Sequence, residues 1–196
     1  MFKKSLITFA VALGFTGASL AQALTPIKIS YQPALYWALP FHVATEKGWW
    51  KEVGLAPEFS TFPAGVPQIA SAAAKSWDVG GTGSVPAVLG HVRFGIKTIG
   101  ITNDESAGNA LVGSAKAAAA FAKDPAGALR GQTITLTQNS TADYAIQSCL
   151  KKYGLKKADV VMKNMGQAEI ISALSSGNTD LTGLWAPNIY TVEEKV

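Results

Sequence analysis

A chain of 196 residues, 48% apolar and only 15% charged, is long enough to bury a core and too apolar to stay disordered. Its formal charge of +4 falls to +2 once Lys3 and Lys4 are discounted, and no basic run pairs with aromatics, so nucleic acid is not an expected partner. A single cysteine, Cys149, excludes an internal disulfide framework, and packing has to supply the stability.

The chain opens on an address. Lys3 and Lys4 precede an apolar run over residues 6–15, and small residues lead to Ala21-Gln22-Ala23. A basic start, a short apolar core and an A-x-A site predict a signal peptide over residues 1–23 and a periplasmic product. The run is shorter than the ~20 residues that span a bilayer. Glycine, proline or charge interrupts every later apolar run.

Strands and helices then alternate. Residues 27–31 predict a strand, 39–47 a helix stopped by Gly48, and 55–62 a second strand ended by Pro63 and Gly65. Pro67 fits the first turn of a helix reaching about residue 75. A third strand (77–80), a helix (84–94) and a fourth strand (97–102) follow. Asn103-Asp104-Glu105-Ser106-Ala107-Gly108 is a run of turn-forming or small residues, read as a crossing between lobes. Beyond it come a strand (109–114), an Ala-rich helix (115–123) and an alternating strand (132–137). The helix over 141–153 places Ala142, Ala145, Ile146, Cys149, Leu150 and Tyr153 on one stripe. Lys151, Lys152, Lys156 and Lys157 cluster at its end, where lysine suits the helix dipole. A strand (160–164), a helix (167–176) and a strand (180–185) complete the series.

The expected class is α/β: two lobes, each a mostly parallel sheet flanked by helices. Residues 24–104 form lobe one and 105–196 lobe two. A helix begins after Pro187 with no stop signal, and the chain does not return to lobe one. It is therefore expected to be a piece lacking a C-terminal part.

The two halves repeat each other. Gly54-Leu55, Gln68, Ser71-Ala72, Asp78-Val79-Gly80-Gly81 and Pro86 recur as Gly154-Leu155, Gln167, Ser172-Ala173, Asp180-Leu181-Thr182-Gly183 and Pro187. A near-constant offset of about a hundred residues points to one supersecondary unit used twice, far longer than solenoid repeats of roughly 20–50 residues. Two such units imply a cleft between them.

Catalytic and metal signatures are missing. His42 and His91 stand apart with no neighbour at ligand spacing, and Gly80-Gly81-Thr82-Gly83 fits neither a P-loop nor G-x-G-x-x-G. No cofactor or metal is expected.

In parallel sheets, ligands sit beyond the carboxyl ends of the strands. Those loops cover residues 32–37, 62–66, 82–86, 103–106, 138–141 and 185–188, and are rich in hydroxyls, amides, glycines and aromatics. Ser84 and Ser140 stand where helices begin, whose free N–H groups suit an anion. At Ser140 and Thr141 plain capping remains an equal reading, with Asp143 taking up donors itself. Tyr36, Trp37 and Trp185 are candidates to flank a ligand or to pack lobe against lobe. Gln32, Gly83 and Asn103 complete the candidate set. Trp49, Trp50 and Trp77 are assigned to structure, and Cys149 to a buried apolar position.

These residues resemble a family. The segments from Ile27 to Gln32, from Ala44 to Leu55 with Gly48-Trp49-Trp50, and Trp77-Asp78-Val79-Gly80-Gly81-Thr82-Gly83-Ser84 resemble periplasmic substrate-binding proteins of ABC importers in the nitrate/sulfonate/taurine group. So do Leu129-Arg130-Gly131-Gln132, Asn139-Ser140-Thr141 and the stretch from Leu174 to Pro187. The resemblance implies a two-lobed fold that closes on a small solute, expected to be an anion such as a sulfonate or nitrate-like compound. Gln32, Ser84, Ser140, Thr141 and Trp185 match positions lining such a cleft. It also implies a monomer that docks on a membrane permease, and no enzymatic activity. Two alternatives are a thiamine-pathway pyrimidine protein of the same fold and a sensory protein.

Overall fold

The computed structural model describes residues 23–194. All but the last residue of the expected signal peptide lies outside them.

The first half builds β1 (Thr25–Tyr31), α1 (Leu35–Glu46), α2 (Trp49–Glu52), β2 (Leu55–Thr61), α3 (Gly65–Ser71), β3 (Val79–Gly81) and α4 (Ser84–Phe94). The second builds β4 (Asn109–Gly113), α5 (Ala115–Lys123), α6 (Pro125–Leu129), β5 (Thr133–Leu136), α7 (Thr141–Lys152), β6 (Val161–Asn164), α8 (Gln167–Ser175), β7 (Leu181–Trp185) and α9 (Asn188–Glu193). The first sheet has the order β2-β1-β3, all parallel. The second has the order β4-β7-β5-β6, with β4 antiparallel to β7 and the rest parallel.

The repeat seen in the sequence is a repeat of topology. β1, β2 and β3 stack in the same order as β5, β6 and β7, each followed by a helix, and β4 is an added edge strand. Gly54 and Gly154 both stand at positive φ, +75° and +71°. Each ends a helical segment by turning the backbone left-handed, which costs glycine least.

The second sheet is covered on both faces. Ile134, Leu136, Ile146, Leu150, Leu155 and Leu181 pack on one side, and Ile170, Leu174, Leu184, Ile189 and Val192 on the other. Leu181 and Leu184 differ in parity, so β7 serves both layers. The stripe expected on α7 is its buried face: Ala142, Ile146 and Leu150 are buried, and Cys149 is half-buried. Its burial pushes the thiol pKa up, opposed by Lys152.

Two expectations need correction. Residues 97–102 form no strand, and Ile99 and Ile101 are 83% and 91% exposed. A strand exists by pairing, and this run pairs with neither edge of the first sheet. The first helix begins at Leu35 rather than residue 39, because burial of Trp37 and Ala38 holds a further turn ahead of Pro40. Tyr36 and Trp37 therefore belong to a helix, not a loop.

Candidate functional site

The strand-end loops of the two sheets face each other. Gln32, Trp37, Gly83, Ser140, Thr141 and Trp185 line one small cavity, about 10 Å³ in volume. Six of the nine sequence candidates thus meet in one place. Ser84 and Asn103 line a larger neighbouring cavity of about 1030 Å³, which shares Thr141 and Asn109 with the small one. Tyr36 stacks on Trp37 at 4.6 Å between ring centroids.

Trp37 and Trp185 lie 6.2 Å apart and form an apolar cluster with Ala34 and Ala142. One tryptophan comes from the first unit and one from the second, so these aromatics pack unit against unit. Gly83 makes the approach possible. A Cβ there would come within 2.6 Å of Thr141 Oγ1 and 3.3 Å of Glu105 Oε1.

The floor in the first unit is a buried amide network. Gln32 Nε2 donates to Gln68 Oε1 and, at 3.1 Å, to Thr82 Oγ1. Gln68 Nε2 donates to Ser30 Oγ at 2.8 Å and to the carbonyl of Gly81 at 3.2 Å. Gln32 is a fixed part of the wall, with its amide nitrogen shared between two protein acceptors.

Ser140 caps α7: its Oγ accepts from the Asp143 N–H at 3.2 Å and donates to the Thr137 carbonyl at 2.6 Å. Asp143 accepts from the Asn139 N–H at 2.8 Å and from Gln147 Nε2 at 2.8 Å. At Ser140 the capping reading therefore describes the structure.

Glu105, in the crossing segment, joins the two units. Its Oε1 accepts from Trp37 Nε1 at 2.9 Å. Its Oε2 accepts from the Ser84 N–H at 3.1 Å, from Ser84 Oγ at 3.1 Å and from Thr141 Oγ1 at 3.2 Å. The carboxylate sits at the N-terminus of α4, where the helix dipole favours negative charge. Burial, helped by Glu105 and Tyr190, pushes the Tyr36 phenol well above the usual tyrosine range. Asn109 donates to the Glu105 carbonyl at 3.1 Å, while its Oδ1 is buried without a partner.

Gln68, Gln167, Asn109 and Glu105 were not among the sequence candidates. The signal for the two glutamines was available: they recur at matching places in the repeat, and both bond a strand carbonyl three residues past the repeat aspartate. Gln68 Nε2 reaches the Gly81 carbonyl, and Gln167 Nε2 the Gly183 carbonyl at 3.3 Å. Gln167 Oε1 accepts from the Trp185 N–H at 3.3 Å and Asn188 Nδ2 at 3.1 Å, fixing the β7 end. For Glu105 the only signal was a carboxylate among loops otherwise poor in charge.

The residues lining these cavities include Asp104, Glu105 and Glu169 and no lysine or arginine. The polar groups they offer are backbone dipoles, hydroxyls, amides, carboxylates and an indole N–H. Among the described residues no group of histidine, cysteine, aspartate and glutamate could hold a metal ion, and no helix is long and apolar enough to cross a membrane.

Comparison with known proteins agrees with this architecture. The model of the NMT1/THI5-like family matches residues 38–196, and the chain belongs to that family. A binding protein of Brucella abortus is 27% identical over 201 residues, covering 100% of this chain and 59% of that relative. The taurine-binding periplasmic protein of Escherichia coli is 28% identical over 189 residues, covering 95% of this chain and 56% of that one. The chain thus spans under three fifths of these relatives' length. The alkanesulfonate-binding protein of Xanthomonas axonopodis pv. citri, solved bound to MOPS, superposes with a TM-score of 0.71 at 20% identity. That match covers 87% of this chain and 58% of the other, and it establishes a periplasmic-binding-protein-like fold.

Proposed function

We propose that this member of the NMT1/THI5-like family is the extracytoplasmic solute-binding component of an ABC-type import system. In this reading residues 1–23 direct export, and lobes 24–104 and 105–196 close by hinge bending through the crossing segment. The solute is small and carries an oxyanion, such as a sulfonate or a nitrate-like group. The loaded monomer docks on a permease and performs no chemistry.

The observation that carries this reading is the convergence of Trp37 and Gly83 from one unit with Thr141 and Trp185 from the other around one cavity. A site assembled from both units binds only when they meet, which is what capture by closure requires. The likeness to a taurine-binding protein supports the oxyanion, as does a lining whose polar groups include hydroxyls, amides and an indole. His42 and His91 line none of these cavities, which favours binding over catalysis.

Thermal unfolding with a panel of taurine, methanesulfonate, nitrate and aminopyrimidines tests it. A solute at a hundred times its Kd adds about 2.7 kcal/mol of stability. The stabilisation should vanish in W185A. A cooperatively unfolding chain that no member of the panel stabilises would sink the proposal.

A further inference from the structure

We propose that Glu105 is a specificity-determining residue, a tethered carboxylate that occupies the oxyanion subsite of this cleft and that a solute anion has to displace. The inference rests on the solute-binding reading above.

Its basis is a count of donors and acceptors. An ionised carboxylate offers about four lone-pair sites. Four donors converge on Glu105: the Trp37 indole N–H, the Ser84 backbone N–H, the Ser84 hydroxyl and the Thr141 hydroxyl, at 2.9–3.2 Å. Three of these donors fall on Oε2 and one on Oε1, so all four are engaged by the one carboxylate. Every one of these donors would serve a free carboxylate, nitrate or sulfonate equally well, and no cationic side chain lines the cavities to hold a second anion beside it. A solute oxyanion can bind there only by taking over donors that Glu105 holds.

The tether allows this. Glu105 lies in the segment between α4 and β4, in which no residue from Gly95 to Ser106 belongs to a helix or strand. The Glu105 backbone itself bonds locally, its carbonyl accepting from the Gly108 N–H at 2.9 Å, and the first backbone tie to the second sheet comes at Gly108, whose carbonyl accepts from the Ala186 N–H at 2.9 Å. The side chain can leave the subsite without breaking a sheet or a helix. The cavity of about 1030 Å³ that Glu105 lines gives it somewhere to go.

The functional consequence is selectivity. If the self-occupied form dominates, apparent affinity for any oxyanion falls by the fraction of time the subsite is free. Simple anions, gaining only the four donors, compete poorly. A solute whose remaining atoms also contact the Trp37–Trp185 pair has additional contacts with which to displace the side chain.

The test is calorimetric titration of methanesulfonate and nitrate into the 196-residue chain, E105Q, E105A, D104N and E105Q/T141V at constant ionic strength. Circular dichroism verifies folding, and E105Q keeps the side-chain volume should E105A unfold. With the subsite self-occupied nine-tenths of the time, E105A and E105Q bind roughly tenfold tighter than the unaltered chain. D104N, which removes a neighbouring charge without freeing these donors, gains clearly less, and E105Q/T141V loses most of the gain. Equal affinity in the unaltered chain, E105Q and E105A overturns the inference, as does a D104N gain matching that of E105Q. If the solute panel stabilises the unaltered chain while the Glu105 variants gain nothing, solute binding stands and the Glu105 role falls. If the Glu105 variants gain and no panel solute acts on the unaltered chain, the self-occupied subsite stands and capture of these solutes by the unaltered chain falls.

Discussion

The two βαβαβα units share a topology and differ in how they are packed. The second buries aliphatic layers on both faces of its sheet. In the first, Ile29, Trp37, Ala38 and Ile69 are buried, while Leu35, Leu39, Val43, Val88, Val92, Phe94, Ile99 and Ile101 are exposed. Strand order and the Gln-to-carbonyl bond recur, so they come from the shared unit. Coverage does not recur, so it depends on what each unit has to pack against. A repeated topology does not guarantee a repeated core.

The largest expected effect follows from that contrast. L150A or I134A in the second unit should destabilise by about 2–5 kcal/mol, whereas V92A or I101A should stay within about 0.5 kcal/mol of the parent. Urea unfolding measures both, and equal effects would break the contrast.

The glycines that follow the repeat aspartates sharpen it. A Cβ on Gly81 would come within 2.7 Å of the Trp37 carbonyl, which is backbone and cannot yield. A Cβ on Gly183 would meet Ile146 Cγ1 at 3.1 Å and Leu136 Cβ at 3.2 Å, both in side chains. G81A is expected to cost about 1–3 kcal/mol or more, and G183A less, because side chains repack more readily than helix backbone moves. Thermal melts of the pair decide the order.

The glutamines come next. Q68A takes the donor from the buried Ser30 hydroxyl and one of two acceptors from Gln32 Nε2, at a cost of about 1–3 kcal/mol. Q167A costs less, since its neighbourhood is half-open to water, but it loosens the Trp185 end and should weaken solute binding more than it lowers stability. A cooperative melt together with a titration separates the two.

The smallest effect is alkaline. With its folded pKa raised above the ordinary ~10 of an unfolded tyrosine, Tyr36 contributes stability that is fully present below about pH 10 and lost as pH rises beyond it. Phenolate absorbance should show one late-ionising tyrosine that disappears in Y36F. A Y36F titration identical to the parent would contradict its burial.

Much of this was legible in the chain. Alternating apolar runs, Gly48, Gly54, Gly154 and the capped stripe of 141–153 fixed the α/β class and the repeat, because these signals depend on residues close in sequence. The strand-end rule gathers Gln32, Trp37, Gly83, Thr141 and Trp185, since a parallel sheet dictates which loops meet. The sequence could not show that residues 97–102 would find no partner, because a strand is a property of two edges. Nor could it show that Gln68 faces Gln32, or that a glutamate between the units takes the hydroxyls of both. Those contacts span 21 to 68 residues of chain, and only tertiary packing brings their atoms to 3 Å.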